Sequence, residues 1–480
     1  MISIIPLSGA MLLLYWIRYV IWKRKEQPLA VPILFTCFFL PKLNLLKVSS
    51  ISTAGIRIDD FMALGLLILA LTDKRTWKNR YIRRGVQILI VLSAVNLLSV
   101  VLSRMRGYDN QILLSVMMVI RKFEYFSFAL TGMYAVYRLK NPYKTFMQEF
   151  TLMSVMHLLP GILQVLGKCS YAVSGVESPD FFQGIAVSTF NGYYEYGMFL
   201  CFGCAVFMCD FLKHRSKLSL AMVPVTLVML VLSESRSALL VGFFLIVLAV
   251  LFPLRSRMTR PAMAIAGYGI LAVLGGGLLL LSGFVEIKSM GRFATVSLDS
   301  FFAYWKEVLI KWGNLPQYVN MVRTGYFEFD AIDDLGYLHK IADWSAATRF
   351  LKWGAALDGL RLYPVLGYGT GLTHVMDGNY FKLLGETGLL GTGLWLGFYG
   401  YFMHAVYQVR RKTKLGKALF LMMAGILVNS LFLDMFEASK PMEMLWMVVG
   451  GVIAFGNPAA DDHPEVRGLR SLLPKFFTEL

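Results

Sequence analysis

Asp377-Gly378-Asn379-Tyr380-Phe381-Lys382-Leu383-Leu384-Gly385-Glu386-Thr387-Gly388-Leu389-Leu390-Gly391 ends a long polar interval and opens an apolar run reaching to about 408. Upstream, the polar interval begins near Val285, and nearly everything before it reads as lipid-soluble helix. A connection of this length is a lid, a binding loop or disorder. Phe301, Phe302, Trp305, Trp312, Trp344 and Trp353 argue against disorder, because such a segment can bury apolar surface. The loop and the helix that follows it are therefore the expected seat of function.

Composition sets the class of the remainder. The chain is 57% hydrophobic and 16% charged, with a mean hydropathy of +0.59, outside the range of soluble globular proteins. Its apolar runs do not alternate as barrel strands would, so the spans are helical. A formal charge of +17 in a soluble protein would suggest nucleic acid. Here Lys and Arg cluster in short connectors between apolar runs, which membrane topology explains, and no nucleic-acid partner is expected. The run from Ile2 to Trp22 lacks a basic n-region and a small-residue cleavage site, so it is expected to be the first span. Cys201, Cys204 and Cys209 share one apolar run, and Cys201-x-x-Cys204 has no second pair to complete a zinc site. With Cys37 in a span and Cys169 on an outer loop, no disulfide is indicated.

The expected fold is an all-α polytopic membrane protein with about thirteen spans. They lie near 2–22, 28–46, 58–72, 84–103, 111–138, 144–167, 189–212, 217–233, 235–254, 261–284, 379–408, 415–433 and 439–456. This divides the chain into an N-terminal bundle (1–284), a partly helical extracytoplasmic loop (285–378), C-terminal helices (379–456) and a cytoplasmic tail (457–480). Lys23-Arg24-Lys25, Lys74 to Arg84, Arg138 to Lys144, Lys213 to Lys217, Arg255 to Arg260 and Arg410 to Lys417 fall in alternate connectors. Placing those inside puts the N-terminus and the loop outside and the C-terminus in the cytoplasm.

Ionisable groups inside spans are costly and need a reason. Arg121, Lys122 and Glu124 interrupt the fifth run; Arg121 and Glu124, three residues apart, can pair as a structural unit or face a polar cavity. Glu195 stands among Asn191, Tyr193, Tyr194 and Tyr196, which read either as an interfacial aromatic belt or as a carbohydrate-facing patch. Ser233-Glu234-Ser235-Arg236-Ser237-Ala238 is a tight outer turn, and a fixed guanidinium there suits phosphate, although a surface ion pair with Glu234 is the plainer reading. Within the loop, Arg292, Arg349 and Arg361 are further cations. Phe350, Trp353, Ala356, Leu357 and Leu360 form one helical stripe, a packing face. Gly367-Tyr368-Gly369-Thr370-Gly371 is neither a Rossmann nor a P-loop pattern and implies a tight, closely approaching turn. His374 has no second His or Cys nearby, so no metal site is expected.

In this order the pieces resemble the superfamily of bacterial O-antigen polymerases and O-antigen ligases. The matching elements are Ser235-Arg236-Ser237-Ala238, then Arg349, Trp353-Gly354-Ala355-Ala356-Leu357, Pro364-Val365-Leu366-Gly367-Tyr368-Gly369, and a closing motif of Asp377, Asn379, Tyr380, Phe381, Leu384, Glu386, Gly388 and Gly391. Ile56-Arg57-Ile58-Asp59-Asp60 and Arg121-Lys122-Phe123-Glu124-Tyr125 are also similar, while the specific motifs cover only about 230–240 and 345–391.

The resemblance implies a C-type glycosyltransferase-like architecture in the bacterial cytoplasmic membrane. Its outward-facing site would use oligosaccharides on undecaprenyl pyrophosphate, with no nucleotide sugar, cofactor or metal. A chain-length regulator and a repeat-unit flippase would be partners in the same process. Ligases carry His immediately before the Asn of the closing motif, as the favoured base. Here Asp377 holds that column, Gly378 stands where the Asn is usual, and Asn379 is shifted by one, which favours polymerase over ligase.

Glycosyl transfer from a diphosphate needs a base for the acceptor hydroxyl and cations for the departing charge. The expected catalytic set is Asp377 as base, Arg236 and Arg349 on the diphosphate, and Glu386 as a rival base or a structural brace. Arg361, His374, Tyr380, Asn379, Arg292, Arg121, Glu124 and Glu195 are the expected substrate-binding residues. A lipid-linked oligosaccharide flippase is the alternative of a different class. Sparse intramembrane charge and a glycine-rich segment outside the membrane count against it.

Overall fold

The computed structural model describes residues 1–47, 55–108, 112–173, 176–251, 344–372 and 376–456. The expected span at 261–284, Arg292, His374, most of the loop and the tail lie outside the described residues.

Regular structure is almost entirely helical, because runs apolar on every face have their backbone polarity satisfied only within a helix. The helices are α1 (Ile4–Arg18, continued by a π turn at Tyr19–Lys23), α2 (Ala30–Phe39), α3 (Ile58–Leu71), α4 (Lys74–Lys78) and α5 (Arg80–Met105). They continue with α6 (Ile112–Arg138), α7 (Pro142–Val165), α8 (Tyr193–His214), α9 (Lys217–Leu232) and α10 (Arg236–Leu251). After the undescribed interval come α11 (Trp344–Leu362), α12 (Asn379–Val409), α13 (Gly416–Asn429) and α14 (Ser439–Gly456). Two small antiparallel hairpins pair β1 (Asn44–Lys47) with β2 (Gly55–Arg57) and β3 (Tyr171–Val173) with β4 (Val176–Ser178).

Among the described residues, three helical stretches are long and apolar enough to cross a bilayer: Ile4–Lys23, Arg80–Met105 and Tyr193–His214. Others are shorter or interrupted by charge. The run expected as a span at 28–46 is helical only over the ten residues of α2. Pro41 explains the stop: the residue before a proline is pushed out of the α region, and Leu40 is extended with ψ 135°. The chain then turns inward at Lys42 before entering β1.

Two helix pairs hold the body together. At the α6–α14 seam, a Cβ on Gly132 would lie 2.0 Å from the Met447 carbonyl oxygen, and one on Gly450 would lie 1.8 Å from that of Ala129. Small residues let the two backbones meet, which is how van der Waals packing joins helices in an apolar medium. The second pair is α8–α9; α8 is buried along most of its length and is packed by α10 and α13 as well.

The connectors collect at two ends of this bundle. At one end Arg18 and Gln27 both bond Glu149, Arg138 lies 3.8 Å from Asp73, and Tyr81 bonds Gln408. At the other, Ile2 pairs with Cys169 beside Glu177, which accepts from the Ile4 backbone N–H at the start of α1. Arg106 reaches the Gly367 carbonyl and Arg57 reaches Ser439.

Candidate active site

A cavity of about 460 Å³ opens among the β1–β2 hairpin, α6, the start of α8, α11, the start of α12 and residues 433–439. Its location follows from a break in α12. Gly388 has φ 62° and ψ −165°, so the helical hydrogen bonding lapses there. The segment after Pro364 fills the gap. Tyr368 and Gly369 N–H groups donate to the carbonyls of Gly385 (2.9 Å) and Glu386 (3.0 Å), and Leu389 and Leu390 donate to Pro364 (2.8 Å) and Val365 (3.1 Å). Side chains are excluded on both strands of this exchange. A Cβ on Gly367 would meet the Gly385 oxygen at 2.4 Å, and one on Gly388 would meet Val365 at 2.5 Å. The glycine pattern is thus the packing of a loop into a broken helix, an arrangement tolerated at membrane depth only where protein or a cavity receives it.

The same region fixes Asp377, in the left-handed region at φ 53°, which Asp tolerates better than most residues. Lys352 Nζ is 3.3 Å from its carboxylate and Arg349 Nε is 3.9 Å away, both presented by α11. Trp353 donates to the Asp377 carbonyl at 3.2 Å and stacks on Phe381, with ring centres 4.6 Å apart. Asp434 holds the other side, its two oxygens accepting from Met376 N (2.8 Å) and Gly378 N (3.1 Å). Burial pushes the Asp434 carboxyl above the usual range, while nearby Lys382 draws it back in part.

Of the expected residues, Asp377, Arg349, Glu386, Asn379, Arg121 and Glu195 all line this cavity. Asn379 is also structural: its Oδ1 accepts from Phe436 N at 2.7 Å, and its own N–H donates to Ser430. Lys122 and Lys382 lie within electrostatic reach of Glu386. Arg121 pairs with Glu124 and with Asp60, each at 3.0 Å, so it is both neutralised and part of the wall; Glu124 lies behind it.

Three expected residues stand elsewhere. Tyr380 donates to the Leu427 carbonyl at 2.8 Å and packs on Phe436. Arg361 is exposed at the far end of α11, where twelve residues at about 1.5 Å each separate it from Arg349 by roughly 18 Å. Arg236 opens α10 without reaching the cavity wall. Its turn packs on α8 instead: Ala238 is buried, and a Cβ on Gly197 would meet it at 2.7 Å.

The cavity also contains cations and acids not expected there. Lys42 is buried against Asp59 and, at 2.8 Å, Glu443; Lys382 bonds Glu437 at 2.7 Å; Arg57 and Asp434 complete the wall. Lys122 sits 5.7 Å from the centre of the Trp395 ring, with no carboxylate within ion-pair distance among the described residues. Lys42, Lys122, Lys382 and Glu443 fall within runs expected as spans, so charge inside the spans is less sparse than expected. The cost of ionisable groups in apolar runs, applied to Arg121, would have singled out Lys42 and Lys382 as well. Asp59, Asp60 and Glu124 bring one oxygen each within 4.8 Å of one another. Lys42, Arg57 and Arg121 lie against these carboxylates.

Five buried polar atoms of cavity-lining residues have no hydrogen-bond partner among the described residues: Arg57 Nε, Arg349 Nε, Trp395 Nε1, Thr370 Oγ1 and Glu195 Oε2. Unsatisfied groups gathered in one cavity mark where water or a ligand belongs. Four of the five can donate, two of them, Arg57 Nε and Arg349 Nε, already facing Asp60 at 3.6 Å and Asp377 at 3.9 Å, so the chemistry favours a ligand that offers acceptor oxygens in competition with those carboxylates. No protein-family model matches the chain, and no curated protein is detectably similar to it.

Proposed function

We propose that the protein is a membrane glycosyltransferase that polymerises undecaprenyl-pyrophosphate-linked oligosaccharide repeat units into a surface polysaccharide. The observation that carries the proposal is the Asp377 carboxylate, held between Arg349 and Lys352 on a cavity whose buried atoms without a hydrogen bond are mostly donors. The acceptor hydroxyl gives its proton to Asp377 as its oxygen attacks the anomeric carbon of the donor. The bond from that carbon to the phosphate oxygen breaks, and the lipid diphosphate leaves with the electron pair. Arg349, Lys122 and Arg57 are the cations placed to meet that charge, and a guanidinium fork binds phosphate oxygens bidentately. A single displacement inverts the anomeric configuration. Asp434 acts through Asp377 by fixing the backbone on both sides of it.

The proposed setting is the bacterial cytoplasmic membrane, with about thirteen spans, the N-terminus and the cavity outside and the C-terminus in the cytoplasm. Support comes from the connectors: those rich in Lys and Arg meet one another at one end of the bundle, while Cys169, Arg106 and Arg57 make their contacts at the other. A chain-length regulator and a repeat-unit flippase are the proposed partners.

Two other readings have specific support. A ligase moving the glycan to lipid A core would use the same diphosphate cations. A flippase is favoured by the break in α12 and by the buried charges, both features of transporters. Protein in lipid nanodiscs, given lipid-linked repeat units, separates the three. Longer lipid-linked glycans support polymerisation, transfer only to lipid A core supports a ligase, and movement without new bonds supports a flippase. A product that keeps the donor configuration rejects the single displacement.

A further inference from the structure

The diphosphate chemistry leaves one wall of the cavity unused, the segment Asn191–Glu195 at the first turn of α8. Glu195 is 3% exposed. The backbone N–H of Asn191 donates to its carboxylate, while Oε2 has no partner among the described residues. The carboxylate is thus oriented with one oxygen uncommitted. A buried ion pair is the plain alternative, since Lys42 and Lys440 lie within electrostatic reach. Lys42 directs its hydrogen bonds to Asp59 and Glu443, however, and Lys440 directs its own to Thr189.

Tyr193 and Tyr194 line the same wall and are braced as rings. Tyr193 meets Phe182 and Tyr194 edge-on, with centres 5.5 and 5.8 Å apart. Gly192 makes room for the second ring, because a Cβ there would lie 2.7 Å from it. Among the unpaired atoms of the cavity, Glu195 Oε2 is the one that can only accept when ionised. A carboxylate repels a diphosphate but accepts from a hydroxyl, and an aromatic face suits the C–H face of a sugar ring.

We propose that Asn191–Glu195 is the subsite that reads the hydroxyls of a neutral sugar ring, apart from the diphosphate cations, and so selects the sugar. The proposal rests on the glycosyl-transfer reading. It is tested on the full chain in detergent by titrating inorganic pyrophosphate and a panel of methyl glycosides of hexoses, 6-deoxyhexoses and N-acetylhexosamines. Cavity tryptophan fluorescence and saturation-transfer NMR report binding. At least one glycoside should bind. Glu195→Gln should weaken it by about tenfold or more, and Tyr194→Leu should weaken it similarly if Glu195→Gln does not fold. Pyrophosphate affinity should stay within about twofold in both, whereas Arg349→Gln should show the opposite pattern. The subsite is rejected if both variants bind the glycoside as the unmodified protein does, or if pyrophosphate binds and no glycoside does. Binding of neither class rejects the glycosyl-transfer reading itself, and the subsite with it.

Discussion

The α6–α14 seam and the cavity beside it are built on opposite terms. In the seam, Gly132 and Gly450 bring two backbones into contact, leaving no room for a side chain. In the cavity, glycines at 367 and 388 instead let one backbone enter the gap in another, and the surrounding wall holds charges and unpaired donors. Both share α6, which presents Gly132 and Ala129 to α14 and, farther toward its N-terminus, Arg121 and Lys122 to the cavity. One helix thus serves stability along one part of its length and chemistry along another. Damage to each should therefore read differently.

The largest effect is expected at the proposed base. Asp377→Asn should lower turnover by about 10²- to 10⁴-fold while leaving the melting temperature nearly unchanged. Thermal scans and product ladders on the same preparation check both halves, and a normal ladder would remove Asp377 from the mechanism. Gly450→Val should act in the reverse sense. A side chain 1.8 Å from the Ala129 oxygen must push the helices apart, costing about 1–3 kcal/mol or more. The loss should appear as a lower unfolding midpoint, with activity per folded molecule retained.

Asp434→Asn lies between these extremes. One of its oxygens becomes an amide nitrogen that cannot accept from Met376 or Gly378. Turnover should fall by about tenfold with substrate KM little altered, and an unchanged turnover would show that Asp377 is held without it. Arg361→Ala should have the smallest effect, within about twofold in turnover and about 0.5 kcal/mol in stability, because Arg361 is exposed and distant from Arg349. A large loss there would bring the far end of α11 into the site.

Several elements were legible in the sequence for plain reasons. The run expected at 111–138 is α6, Ile112–Arg138, and the run expected from 379 begins with α12 at Asn379. Long, mostly apolar runs leave a backbone in an apolar medium little choice but a helix. The expectation for Gly367-Tyr368-Gly369, a close-approaching turn, matches the strand of chain seated in the α12 break. The run at 28–46 was misread in length because the effect of Pro41 on Leu40 outweighed continued hydrophobicity. Asp434 gave no motif signal: its role is to accept two backbone N–H groups from a segment 56 and 58 residues away.

Composition and the positions of its apolar runs alone pointed to a mostly helical chain with helices apolar enough to cross a membrane. The motif resemblance singled out Arg349, Asp377 and Glu386, which line one cavity. The tertiary structure decided which of those residues share a cavity. It placed Lys42, Arg57, Lys122 and Asp434 in the same cavity as Asp377 and left Arg236 and Arg361 outside that wall. The physical reason is that helix formation is local, governed by neighbours three and four residues apart. A charge in an apolar medium is instead satisfied by whatever partner the packing brings, as Lys42 and Glu443 are, across 401 positions of sequence.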